Sequence, residues 1–203
     1  STLTPVPGEA FRVGLMHGER FAGDAVPRPA SFERFVVALP DGAEHAVVGM
    51  AGRGVSFAKL PAGHAEGGTV VYESAWTTSR FPAKRFDAYL QEEKLGHISR
   101  ERERFGETGT AGAERYKRCS KALLGQSADG TTGLPLEIVV LSSEAGEIRA
   151  RVLLRGETLS GIRVVLAARA QPESLVEAVT DEDGLVSFTL EHDGRLMLTT
   201  LHM

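Results

Sequence analysis

The sequence predicts a mainly β chain of two β-sandwich-like domains, with an α-helical insertion in the first. Three observations carry this. Short runs alternate apolar with polar residues, the period-two pattern of half-buried strands. Gly-, Pro- and Asp-rich turns separate those runs. Only one stretch, roughly residues 82–124, switches to the 3.6-residue period of an amphipathic helix.

In chain order, Phe11, Val13 and Leu15 alternate with Arg12 and Gly14 as a first strand. Residues 32–39, 55–60 and 69–76 read the same way, with Pro40-Asp-Gly42 and Pro61-Ala-Gly63 as turns. Pro82 suits a first helical position, and Phe86, Tyr89 and Leu90 share one helical face. The charged run 100–104 continues that helix as a solvated face, ended by Gly106 and Gly109. A second helix is expected over 113–124, burying Tyr116 and Leu123. Residues 134–141 return to β character, and 142–146 read as a linker with little to bury. This divides the chain into a domain over 1–141 and a smaller one over 147–203.

The second domain is the most readable part. Ile148, Ala150, Val152 and Leu154 alternate with Arg149, Arg151 and Arg155. Residues 162–168 form an apolar strand, and Val186, Phe188 and Leu190 alternate with Ser187, Thr189 and Glu191. Between them Gly184 can take positive φ, and Asp181 and Asp183 can bond their own backbone to close a turn. This part resembles the small transthyretin-like (Ig-like) β-sandwich that bacteria attach to secreted proteins. The apolar run 196–203 stops without a polar tail, so the second domain is expected to lack its last strand.

Composition sets the outer bounds. At 203 residues with 42% hydrophobic content the chain can bury proper cores. A formal charge of −4 argues against a nucleic-acid partner. Cys119 is the only cysteine, which excludes an internal disulfide and a Cys-only metal cage. No apolar stretch approaches the roughly 20 residues that span a bilayer. The sequence begins at Ser1 without a leader: either a secretory signal has been removed or the sequence simply starts there. The first reading places the protein in the periplasm or outside the cell.

Several words of the sequence carry a wider resemblance. They are Gly18-Glu-Arg-Phe-Ala-Gly-Asp24, Phe86-Asp-Ala-Tyr-Leu-Gln-Glu-Glu-Lys-Leu95, Glu114-Arg-Tyr-Lys-Arg-Cys-Ser-Lys121, Leu134-Pro-Leu-Glu-Ile138 and the terminal His202-Met203. Together they resemble, over nearly the whole chain, a bacterial domain-of-unknown-function family of exported proteins. Its members are often labelled periplasmic components of cobalt or nickel uptake. The resemblance implies export, divalent-metal handling, and a membrane transporter or other envelope protein as partner.

Local catalytic signatures are missing: no phosphate-binding loop, no His-Glu-x-x-His, no Gly-x-Ser-x-Gly and no Cys-x-x-Cys. The expectation is therefore a non-enzymatic protein. His17-Gly-Glu19 would put an imidazole and a carboxylate on one face of an extended segment, where they could share Ni²⁺, Co²⁺, Cu²⁺ or Zn²⁺. His202, at the other end of the chain, is the third candidate ligand. Arg115, Arg118 and Lys121, with Lys117, are a candidate contact for an anion or a partner's acidic face. Cys119 is expected to be buried. Two other classes compete with metal handling: an adhesion or assembly module without a ligand, and, ranked last, a cell-wall glycan hydrolase. The hydrolase would need two carboxylates about 5–10 Å apart in a cleft.

Overall fold

The structure is a computed structural model that describes residues 4–18, 20–125, 129–144, 146–190 and 194–203. Strand accounts for 49% of the chain and helix for 10%, so the class is mainly β. The strands are β1 (Ala10–Val13), β2 (Leu15–His17), β3 (Asp24–Val26), β4 (Phe32–Ala38), β5 (Glu44–Ala46), β6 (Ser56–Lys59), β7 (Gly67–Ser74) and β8 (Thr77–Phe81). Helices α1 (Ala83–Glu92) and α2 (Gly96–Arg104) follow, then β9 (Gly112–Tyr116) and β10 (Cys119–Gly125). The remainder is β11 (Leu136–Glu144), β12 (Glu147–Leu154), β13 (Glu157–Thr158), β14 (Arg163–Ala168), β15 (Gln171–Val179), β16 (Leu185–Thr189) and β17 (Leu196–Thr200). No described helix is long and apolar enough to cross a membrane. The chain divides into two compact units, one of residues 1–74 with 118–200, the other of 75–117 with 201–203.

The larger unit holds two separate cores. In the first, an antiparallel sheet of order β10-β7-β4-β5 buries Phe35, Val37, Val70 and Leu124, joined by Val47, Ala58 and Leu60. Its register sets Phe35 opposite Tyr72 and Val37 opposite Val70, so these four fall on one face, while the Val36–Val71 pair takes the other. Strand β10 approaches β7 so closely that a Cβ on Gly67 would lie 1.8 Å from the Leu124 carbonyl oxygen. Only glycine fits there. The second core takes Ile148, Ala150 and Val152 from β12, Val186 and Phe188 from β16, and Val164 and Leu166 from β14. Sheets β11-β12-β13, with β16 on β12, and β15-β14-β17 thus share one core. Its 181–184 turn closes as its sequence requires: Asp181 Oδ1 accepts from the Asp183 and Leu185 amides, and Gly184 has φ 70°.

Residues 142–144, read from sequence as part of a linker, belong to β11, which pairs with β12 from Leu136↔Leu154 to Glu144↔Glu147. A bulge between Val140 and Ser142 breaks the alternation there, and the strand's far end is exposed, so polar residues occupy it.

The smaller unit packs α1 on the β8–β9 ribbon. Phe81, Phe86 and Tyr89 stack with centroids 5.5–6.2 Å apart, and Phe86, Leu90 and Leu95 are buried. Two expectations are corrected here. The helix does not continue into the charged run: Lys94 takes φ 57° and Leu95 turns inward, so α2 starts anew at Gly96. Arg102 of that run is not solvated either. Its side chain is 11% exposed, lies 4.7 Å over the Phe86 ring, and donates to the Glu107 and Thr110 carbonyls. The second correction is larger. Residues 113–124 form no helix but most of β9 and β10. Inward Glu114 and Lys121 occupy positions where an apolar residue would have shown the period of two.

Candidate functional site

The smaller unit brings together two imidazoles that lie far apart in sequence. His97 sits in the first turn of α2, where Leu95 and Ile98 anchor the helix on the aromatic cluster. His202 follows the end of β17, between Leu201 and Met203, whose side chains pack on the same cluster. His97 Nε2 lies 3.3 Å from the Met203 carbonyl oxygen. A carbonyl only accepts, so Nε2 carries the proton and donates. Burial lowers the pKa of His202, and the nearby charge of His97 lowers it further. At neutral pH His202 is therefore the uncharged imidazole, the form that ligates metals.

His17 belongs to the larger unit. It ends β2 as an exposed residue, its Nε2 3.4 Å from Arg118 Nη2. A guanidinium only donates, so that ring nitrogen accepts and its lone pair is engaged by a cation. Glu19, its proposed companion, lies outside the described residues. Among the described residues, no group of three or more His, Cys, Asp and Glu side chains is placed to hold one ion.

The basic cluster read as one helical face is dispersed by the change from helix to strand. Lys121 points inward, 2.8 Å from Asp129 and 3.0 Å from Glu137, with its side chain 9% exposed. Arg118 belongs with His17 in the larger unit. Arg115 stays on the ribbon of the smaller unit, 4.6 Å over the Trp76 ring, and Lys117 Nζ is 5.4 Å from that ring. Cys119 is half-buried.

The family model for Domain of unknown function (DUF4198) matches residues 1–203. The chain belongs to this family. No curated protein and no solved structure matches it.

For this DUF4198 member, then, the site must be argued from its own residues. Sequence reasoning singled out His202 but passed over His97. Nothing local marks His97: its contact, Met203, is 106 residues away, and no motif spacing spans such a distance. Trp76 was likewise read only as the end of a strand. Its significance depends on the β8–β9 pairing that sets it beside Arg115 and Lys117.

Proposed function

We propose that the chain is a non-enzymatic exported accessory protein that binds a divalent transition metal and hands it over, with nickel or cobalt uptake as the setting. One observation carries this reading: the hydrogen bond from His97 Nε2 to the Met203 carbonyl, beside His202. Metal-binding histidines commonly donate their second ring nitrogen to a backbone carbonyl, which fixes tautomer and ring orientation. Here that bond fixes the His97 ring in the neighbourhood of His202, whose pKa burial lowers. The resemblance of the chain to proteins labelled as uptake components points the same way.

Two protein ligands make an open site. Ni²⁺, Co²⁺, Cu²⁺ and Zn²⁺ all accept imidazole nitrogen. With two nitrogens supplied, the remaining positions are left to water or to the ligands of a receiving protein. Such a site binds weakly and exchanges quickly, which suits transfer better than storage. Its receiver in this reading is a membrane transporter or another envelope protein.

Calorimetric titration of the full chain with Ni²⁺, Co²⁺, Cu²⁺ and Zn²⁺ tests the proposal. Saturable binding is expected for at least one ion. His97→Ala and His202→Ala should each weaken it by at least the roughly 10–100-fold that even outer-shell partners of a metal are worth, while His17→Ala leaves it unchanged. Binding should also fade with acid, because protons compete for the nitrogens. For His202, whose pKa is lowered, that competition sets in below its ordinary 6.5. No saturable heat with any of the four ions, or equal affinity in both variants, would sink the reading.

A further inference from the structure

The β8–β9 ribbon has two unlike faces. Its register sets Thr78 opposite Arg115 and Arg80 opposite Ala113, and all four are exposed. Ser79, Phe81, Glu114 and Tyr116 occupy the alternate, more buried positions. Trp76 and Lys117 lie one residue beyond the paired strands, Trp76 exposed and Lys117 half-buried. Ring contacts join them to the face that carries Arg115: Arg115 Cζ is 4.6 Å and Lys117 Nζ 5.4 Å from the Trp76 centroid. The outer face therefore presents Trp76, Arg80, Arg115 and Lys117, with Thr78 and Ala113 between them. None of these six residues is acidic.

Charge is distributed unevenly on a larger scale as well. Residues 75–117 and 201–203 hold nine Lys/Arg against seven Asp/Glu, a net of +2; the rest of the chain holds fourteen against twenty, a net of −6. A basic, tryptophan-bearing face thus stands out on an acidic protein. The two cation–π contacts hold the charged groups in place before any ligand arrives, which lowers the ordering cost of binding. Trp76 keeps 47% of its surface exposed, so apolar area remains beside the charges. Tryptophan and arginine are the side chains most enriched where protein partners bind tightly. Arg115 lies on β9 and Lys117 one residue past its end, about 6.5–7 Å apart if the chain stays extended. Carboxylates two residues apart on an extended peptide have the same spacing.

We infer that the outer face of the β8–β9 ribbon is a docking surface for an extended acidic segment of a partner protein, with carboxylates on Arg115 and Lys117 and an apolar side chain against Trp76. The inference is independent of the metal reading. It would stand if no ion bound, and it would supply a receiver's foothold if one did. A nucleic acid is disfavoured by the overall charge of −4.

Trp76 is the only tryptophan, so its fluorescence reports on this face alone. The full chain is titrated with a synthetic peptide alternating glutamate and valine, and with the same peptide carrying glutamine for glutamate. The acidic peptide should shift the emission saturably, less so as salt rises, and the glutamine peptide should not. Anisotropy of the fluorescein-labelled acidic peptide then compares variants: Arg115→Ala/Lys117→Ala should weaken binding at least tenfold with the circular dichroism spectrum unchanged. Equal response to the two peptides, or undiminished binding by the double variant, overturns the proposal. So does an emission shift with phosphatidylglycerol vesicles but not with the peptide, which would assign the face to a lipid surface. Sedimentation showing self-association of the wild type that the double variant loses would assign it to a second copy of the chain and overturn it too.

Discussion

Lys121 shows how much a single side chain's direction decides. On a helix it would have been a surface cation; on β10 it is buried between Asp129 and Glu137, whose side chains are each 2% exposed. The cluster is fully partnered. Glu137 accepts from the Thr132 amide at 2.7 Å, the Thr132 hydroxyl at 2.8 Å and the Gly133 amide at 3.0 Å, and Asp129 Oδ2 accepts from the Val140 amide at 2.8 Å. Arg34 donates to the Thr132 carbonyl and to Glu44. Removing the cation leaves two buried carboxylates facing each other, so Lys121→Met should cost about 3–5 kcal/mol, the usual penalty for breaking a buried pair. Urea unfolding at pH 7 measures it; a loss below about 1 kcal/mol would show that water reaches the carboxylates. Burial alone pushes the Glu137 carboxyl up, but the Thr132 and Lys121 hydrogen bonds together outweigh it and hold the pKa below its ordinary 4.5. The folded state thus binds this proton less readily than the unfolded chain. The stabilisation is complete above pH 4.5 and is lost as pH falls through the lower folded value. His202 acts in the same direction below 6.5. Glu137→Gln should flatten the acid limb of stability against pH; an unchanged slope below pH 4.5 would refute this role.

At the scale of elements, strands were legible wherever one face buries only apolar side chains. Ile148, Ala150 and Val152 alternate with Arg149 and Arg151 in β12, and Val186 and Phe188 with Ser187 and Thr189 in β16. The 113–124 segment reads as a helix for a physical reason. In β9 the inward positions include Glu114, which accepts the Tyr89 hydroxyl, and in β10 they include Lys121. A charged residue facing inward erases the period of two, and Tyr116, Leu123 and Leu124 then fall at helix-like spacings. The same pairing explains Gly112, which no turn or positive φ demands. A Cβ there would lie 2.2 Å from the Phe86 ring. Phe86 has little room to retreat, because it stacks near Phe81 and Tyr89 and carries Arg102 on its face. Gly112→Ala should destabilise the smaller unit by about 1–3 kcal/mol through overpacking. Pairing it with Phe86→Leu should return part of that loss, measured as a double-mutant cycle by thermal unfolding. Purely additive effects would place the strain elsewhere.

The whole molecule combines cores of very different size, and that contrast was only partly readable. The class, the turn at Asp181 and the alternation of the last strands follow from local pattern. The grouping of residues 201–203 with 75–117 does not, since it depends on contacts between segments about a hundred residues apart. For the same reason His202 was found by its position in a motif, while His97 was not found at all. The unequal cores have a dynamic consequence. The larger unit buries Val37, Val47, Leu60, Val71, Val152 and Val164 almost completely, whereas the smaller one relies on Phe86, Leu90 and Leu95. Opening free energies within one protein range from near zero to the global value, and they follow buried apolar contact. A unit whose core rests on three buried side chains belongs at the lower end. Native-state hydrogen exchange should therefore show the amides of α1 and α2 opening together, at free energies about 2 kcal/mol or more below those of β7 and β12. Saturating metal, if His97 and His202 bind it, should raise the protection of α2 by the linkage of binding to the closed form. If the four elements instead shared one exchange isotherm across the denaturant series, the two units would unfold as one, and the smaller core would be far stronger than its few buried side chains imply.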